Sequence, residues 1–430
     1  MSEAALEADL LNSSPEEIVL LLGRAAKDAA HVLSQTSTQT INNVLDSLAD
    51  ALVAQTDTIL AANARDIEAA RAKGLSAAMV DRLLLDAVRV AAIAQGVRVV
   101  EDLPDPTGRV LSEVVRPNGL RIEKVSVPIG VLGMIYESRP NVTVDAAVLC
   151  LKSHNAVILR GGSESLYSSL ALHKIIQETL ESFNLPAACV SMIPTGDRAA
   201  VGAMLRMNEY IDVMIPRGGK GLIERVMAEA RMPVFGHLEG VCHVYVDASV
   251  RPDIARSVPF NAKLRRTGVC NAMETLLLDK NLDKGLAQEI LAQLLDAGCE
   301  IVGDKLVQGI DARIGAATAE DWSTEYLDKK LSCCVVDGVR EAVRHINTYG
   351  THHTDSILAE DAEAVQYFFG AVDSGVVMHN ASTQFTDGGE FGMGAEIGIA
   401  TGKMQARGPV GLEQLCTYKY LVHGTGQTRP

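Results

Sequence analysis

A chain of 430 residues is too long for a small stapled scaffold, and at roughly 150 residues per domain it calls for two or three packed units. Hydrophobic residues make up 47% and charged residues 22%, a globular balance that excludes wholesale disorder. The net charge of −15 repels nucleic acid and anionic membranes unless a local basic patch overrides it, which directs attention to small-molecule chemistry.

The acidic start, MSEAALEADLLNSSPEE, lacks the basic opening and apolar stretch of a secretory signal, so a cytoplasmic location is expected. Nothing approaches the run of about 18 uncharged apolar residues that a membrane span requires. Ser14-Pro15-Glu16-Glu17 then offers an N-cap, a proline at the first helical position and an acid at N3. Ile18, Leu21, Leu22, Ala25 and Ala29 follow at helical spacing, and Ile41, Leu45, Leu48, Leu52 and Ile59 continue it, with Gly74 as a stop. Pro104, Pro106 and Gly108 end this helical region. The alternation from Leu120 to Val127 and the apolar run Gly130 to Tyr136 predict strands.

From there strands and helices take turns. Val157-Ile158-Leu159, Val190 to Ile193 and Ile211 to Ile215 read as short buried strands, with helices at 163–183, 199–207 and 220–229. After Val246 the alternation restarts, with helices at 253–264 and 282–297 and strands at 275–278 and 300–302, which places a boundary near residue 245. Buried strands separated by single helices are the pattern of a parallel sheet with right-handed crossovers. In such sheets ligands sit at the turns leaving the carboxyl ends of strands. The turns Arg160-Gly161-Gly162-Ser163 and Pro216-Arg217-Gly218-Gly219 place backbone N–H groups and an arginine at a helix start, which suits an anion, although the glycines also serve simply to make tight turns. The last strand-like segment is Cys416 to Val422.

Eight cysteines at 150, 189, 242, 270, 299, 333, 334 and 416, with no CxxC pair, argue for reduced thiols rather than a disulfide framework. Cys270 stands apart because Lys263, Arg265, Arg266 and Gly268 precede it, and nearby positive charge favours thiolate. A nucleophile and an inert packing residue are both open readings. Cys150, Cys189, Cys242, Cys333 and Cys334 lie in apolar or alternating runs and read as core. His237 and Glu239 in FGHLEG are candidate acid/base groups, although a hydrogen-bonded structural histidine and a solvated loop carboxylate are the leading readings from the residues alone. His352-His353-Thr354-Asp355 suggests a metal at first sight, but adjacent histidines point apart and no third ligand has suitable spacing, so no metal is expected.

Eight blocks in order resemble the aldehyde dehydrogenase superfamily: NVT near 141, ILRGGSES near 160, IPRGGK near 217, GHLEG near 238, RRTGVCNA around Cys270, TEYLDKK near 325, NASTQFTDGGEFG near 382 and QARGPVGLE near 410. Within it the chain is most similar to the glutamate-5-semialdehyde dehydrogenases. The resemblance implies an α/β, aldehyde-dehydrogenase-like fold: two Rossmann-like parallel-sheet domains plus a β oligomerisation arm. It places an NADPH-binding domain at 1–117 and 131–245, a catalytic domain at 246–407 and the arm at 118–130 and 408–424, with the site in a cleft between the domains.

It also implies NADPH-dependent reduction of L-glutamate 5-phosphate to the semialdehyde, the second step of proline biosynthesis from glutamate. Cys270 would be the nucleophile that forms a thioester, with the oxyanion held by its own N–H and by Asn141. Arg160, with Ser163 and Glu164 nearby, would meet the 2′-phosphate of NADPH; Gly218 and Gly219 would lie near the pyrophosphate and Glu325 would orient the nicotinamide ribose. Lys263, Arg265 and Arg266 are candidates for substrate phosphate, and Glu137, Arg139 and the 380–387 loop for the amino-acid end. His237 takes the place of the glutamate that activates water in hydrolytic members, which fits a thioester that exchanges with phosphate. A homodimer or tetramer, and a glutamate 5-kinase as substrate donor, complete the expectation. The rival readings are a CoA-acylating or hydrolytic aldehyde dehydrogenase, and a nucleotide-binding scaffold without catalysis.

Overall fold

The computed structural model describes residues 13–429, so most of the acidic start read above lies outside the described residues. Contacts divide the chain into two units. One runs to Gly236 and includes Gly392–Gly398 and the chain from Val410 onward; the other comprises His237–Phe391 and Ile399–Pro409.

In the first unit the helix Pro15–Leu33 starts at a capping box. The Glu17 N–H donates to Ser14 Oγ at 3.3 Å, and the Ser14 N–H donates back to the Glu17 carboxylate at 2.8 Å. The period through Ile59 proves to be two helices, Thr38–Ala54 and Thr56–Ala72, parted at Gln55. Gly74 follows with a φ of +72°, a conformation glycine adopts without strain. The helices Ala77–Leu83 and Ala87–Asp102 complete this region.

A four-stranded sheet follows in the order Val190–Met192, Ala156–Arg160, Val131–Tyr136, Val213–Arg217, with every pair parallel. Val131–Tyr136 and Ala156–Arg160 are buried throughout, which is why they read as unbroken apolar runs rather than alternating ones. The last strand corrects an expected turn. Pro216 and Arg217 pair with Ile135 and Tyr136, and Pro216, lacking an N–H, is tolerated because its strand is at the sheet edge.

A separate antiparallel sheet joins Val110–Val115, Arg121–Pro128 and Cys416–His423. The strand Val110–Val115 was not expected, and the sheet therefore begins before residue 118. All six of its residues are exposed, so it carries no buried face for alternation to mark. Nor is the segment from 408 continuous with the arm: Gly408–Val410 is a short strand of its own and Leu412–Leu415 a 3₁₀ turn before Cys416–His423 begins.

The second unit is built on seven parallel strands in the order Gly315–Ala316, Glu300–Gly303, Lys330–Val336, Met273–Asp279, Cys242–Val246, Thr354–Leu358, Val376–His379. Cys242–Val246 sits well inside this sheet, so the division falls at 236/237 rather than near 245. One apolar cluster joins the helices Pro252–Leu264 and Lys284–Asp296 to the sheet, and another joins Gly338–Tyr349 and Ala362–Ala371. Among the described residues no helix is long and apolar enough to cross a membrane.

His173, on the helix Leu166–Ser182, donates from Nε2 to the Val190 carbonyl at 2.9 Å, and burial pushes its imidazole down to about 4. The folded chain keeps this ring neutral where the unfolded chain protonates it, so stability is lost as pH falls from 6.5 toward 4. Urea denaturation at pH 7 and pH 5 should assign up to ~2 kcal/mol of the loss to this residue, and His173→Gln should remove that share. An unaltered pH dependence in the variant would contradict the assignment.

Candidate active site

Cys270 lies in the turn between the helix Pro252–Leu264 and the strand Met273–Asp279, and it is the only one of the eight cysteines that is not buried. The seven others fill the interior. The turn is closed by the Ala272 N–H donating to the Val269 carbonyl at 3.0 Å. It is braced from the segment 382–386: Asn271 Nδ2 donates to the Thr386 carbonyl at 2.9 Å, while Gln384 Nε2 donates to the carbonyls of Ala262 at 2.8 Å and Arg266 at 3.1 Å. The NASTQFTD stretch therefore holds the chain on both sides of the nucleophile candidate.

The opposite support comes from GHLEG. A Cβ on Gly240 would lie 1.9 Å from the Cys270 carbonyl oxygen, so only glycine fits there. The Gly240 N–H is held in place by the Glu325 carboxylate at 2.9 Å. Cys242 adds a third hold, donating from Sγ to the Cys270 carbonyl at 3.2 Å.

Two imidazoles border the thiol. A ring nitrogen of His237, a ring nitrogen of His353 and Cys270 Sγ all lie within 4.8 Å of one another. His237 Nδ1 is 2.9 Å from the Ile399 carbonyl and donates to it, which puts the lone pair on Nε2 in the neutral ring. His353 is buried. Its Nδ1 is 2.9 Å from Thr354 Oγ1, which itself donates to Thr386 Oγ1, so the shared proton belongs to Nδ1. Its Nε2 is buried without a hydrogen-bond partner. Burial, aided by His237, pushes the His353 ring down to about 3. Its neighbour His352 turns away to the Asp373 carbonyl at 2.6 Å, as adjacent histidines do. The sequence pattern sets His353 aside as a metal ligand and reads Cys242 as core, so neither is expected beside Cys270.

The expected phosphate cations separate. Lys263 is a correction: its ammonium is fully buried and ion-paired to Glu274 at 2.5 Å, where it ties the helix to the strand and is not available to substrate. Burial raises the Glu274 carboxyl above its ordinary range against the pull of Lys263, and the Leu327 N–H donates to it at 3.2 Å. Arg265 and Arg266 are exposed. Asn380, at the head of the expected substrate loop, is committed to the backbone: its Oδ1 accepts the Ala359 N–H at 3.0 Å.

In the other unit, Arg160 ends its strand buried, donating to the Gly196 carbonyl at 3.0 Å, and its Nε has no partner. Ser163 is exposed, whereas the Glu164 carboxylate accepts the Ser138 N–H at 2.8 Å. Gly218 and Gly219 are exposed at the start of the helix Lys220–Glu229, and the Gly219 N–H donates to the Glu137 carboxylate at 3.0 Å. Glu137 therefore acts as the anion at this helix start. Arg139 is exposed. Asn141 precedes the helix Val142–Lys152 and donates to Asp145 at 2.8 Å, a carboxyl that burial pushes up to about 6.

The family model for the aldehyde dehydrogenase family matches residues 12–324. The chain belongs to that family. It is 56% identical to a gamma-glutamyl phosphate reductase of Paramagnetospirillum magneticum across 95% of this chain and 97% of the relative, and 53% identical to one of Brucella suis across 96% and 98%. Among solved structures, the gamma-glutamyl phosphate reductase of Thermotoga maritima superposes with a TM-score of 0.94 at 42% identity, covering 96% of this chain and all of that one. In this chain the accessible Cys270 sits in a turn braced through the Ala262, Arg266 and Thr386 carbonyls.

The Lys263–Glu274 pair predicts a specific pattern of stability. Lys263→Met alone should cost about 3–5 kcal/mol in urea denaturation by stranding a buried carboxylate, and the added Glu274→Leu should recover most of it. A Lys263→Met protein of unchanged stability would contradict the pairing.

Proposed function

We propose that the chain reduces L-glutamate 5-phosphate to L-glutamate 5-semialdehyde and phosphate with NADPH, the second step of L-proline biosynthesis from glutamate. The observation that carries the reading is Cys270, the one thiol open to solvent, fixed in a turn that Gly240 and Gln384 hold from opposite sides. The gamma-glutamyl phosphate reductases that match the chain over nearly its whole length support the substrate assignment.

Cys270 Sγ attacks the acyl carbon of the phosphate anhydride, the carbon–oxygen bond to phosphate breaks, and phosphate departs with the electron pair. The product is a thioester on Cys270. When bound, the reduced nicotinamide supplies the hydride. Collapse of the resulting tetrahedral oxyanion expels the Cys270 thiolate and releases the aldehyde. Holding the Cys270 carbonyl with Cys242 and Gly240 restrains the backbone of the residue whose own N–H, on the family resemblance, shares the oxyanion with Asn141.

The residues assigned to NADPH suit a phosphate-bearing dinucleotide. Arg160 offers a buried Nε that no protein atom satisfies, and the helix start at Gly219 already accepts a carboxylate in the form of Glu137. Ser163 and Glu164 flank Arg160, and Glu325 is assigned to the nicotinamide ribose. With Lys263 buried, the departing phosphate is assigned to Arg265 and Arg266.

The place of the water-activating glutamate in hydrolytic relatives is taken by His237, so the thioester is returned to phosphate rather than to water. Exposed Val110, Val114, Val115, Tyr418, Tyr420 and Val422 on the antiparallel sheet support self-association into a homodimer or tetramer. A cytoplasmic enzyme fed by a kinase that phosphorylates the glutamate side-chain carboxylate fits these features.

Oxidation of glutamate semialdehyde with NADP⁺ should require phosphate and should far outpace oxidation of propionaldehyde. Cys270→Ser should lower kcat at least about 1,000-fold. Free glutamate formed without phosphate would overturn the reading in favour of a hydrolytic enzyme.

A further inference from the structure

The atoms around Cys270 have a second competence that reduction of an acyl phosphate does not use. Two imidazoles and a thiol, all within 4.8 Å of one another, are the ligand set that zinc takes in proteins, where nitrogen and sulfur donors bind at about 2.0–2.3 Å. Side chains around a bound ion stand about 3.5 Å apart in tetrahedral geometry, so closing onto a metal needs contraction of order 1 Å, within the travel of side-chain torsions.

Both rings are also held as metal-binding histidines are held. A ligating imidazole needs its other nitrogen engaged as a donor, which fixes the tautomer and the ring plane. His237 donates from Nδ1 to the Ile399 carbonyl at 2.9 Å. His353 donates from Nδ1 to Thr354 Oγ1 at 2.9 Å, with Thr354 anchored on Thr386. The independent sign of a ligand is His353 Nε2. It is a buried nitrogen lone pair that no atom of the protein satisfies, and such orphaned groups are rare because burial without a partner is costly. His237 and His353 meet edge to face with ring centroids 5.0 Å apart.

We propose that His237, Cys270 and His353 form a binding site for zinc, occupied in competition with substrate, so that the metal reversibly inhibits the enzyme by taking the thiolate. Three protein ligands leave a fourth position for water or phosphate, the open geometry of a non-structural zinc site. The binding stands on the cluster alone; the inhibition rests on Cys270 being the nucleophile. Metal coordination is a simple exchange: the thiol gives up its proton to solvent and its sulfur lone pair to the ion, with no change of oxidation state.

The test uses the full-length protein stripped with a chelator and titrated with Co²⁺, a spectroscopic substitute for zinc, and with Zn²⁺ against a chromophoric competitor. One ion per chain is expected, with a cobalt–thiolate charge-transfer band in the near ultraviolet and d–d bands of tetrahedral intensity. Alkylating the native protein with iodoacetamide, which reaches the one accessible thiol, should abolish the band. Cys270→Ser should do the same, and His353→Gln should weaken binding at least about 10-fold. Turnover should fall as zinc loads and return with chelator. No thiolate band, or a band that survives alkylation, overturns the site. A band with undiminished turnover in the zinc-loaded protein overturns the inhibition and the nucleophile role of Cys270 together, while leaving the metal site standing.

Discussion

The close approach of Gly240 to the Cys270 carbonyl governs everything around the thiol. With 1.9 Å between a hypothetical Cβ and that oxygen, one methyl group at position 240 would displace the turn that carries Cys270. Other contacts serve the same end: Glu325 fixes Gly240 from one side, Cys242 holds the carbonyl itself, and Gln384 and Asn271 tie down the chain on either flank. A thiol presented from a rigid turn has already lost conformational freedom that a reaction at sulfur would otherwise cost. The same rigidity brings His237 and His353 to bear on the sulfur.

Charge is organised in the same local fashion. A net charge of −15 describes the surface as a whole, yet the residues before Cys270 are cationic. One of them, Lys263, is spent inside the fold on Glu274, where helix and strand are locked beside the turn. Arg265 and Arg266 stay at the surface. The run from Lys263 to Cys270 by itself cannot distinguish a cation that meets substrate from one that braces a helix, because Glu274, the partner that decides the matter, lies on the following strand.

Much of the fold was legible because its strands are short, β-branched and buried on both faces, as in 131–136 and 156–160. What escaped did so for physical reasons. The strand Val110–Val115 is exposed along its whole length and leaves no hydrophobic rhythm. The expected boundary near residue 245 falls beyond the strand Cys242–Val246, whose apolar composition suits either sheet and whose place is fixed by its pairing with Met273–Asp279 and Thr354–Leu358. Cys270 was visible through its neighbours in sequence, whereas His353 was not: its meeting with His237 and Cys270 depends on three loops brought together by the parallel sheet. Local spacing around His352-His353 gives no sign that His353 lies near His237 and Cys270, because neither is close to it in sequence.

The central claim is that Cys270 carries the acyl group. The most direct measurement is peptide mapping by mass spectrometry after incubating the protein with glutamate semialdehyde and NADP⁺ in the absence of phosphate, which allows hydride transfer but denies the thioester its acceptor. The account predicts a glutamyl adduct on the peptide containing Cys270, discharged when phosphate is added. An adduct on another cysteine, or turnover to free glutamate with none on Cys270, would contradict it.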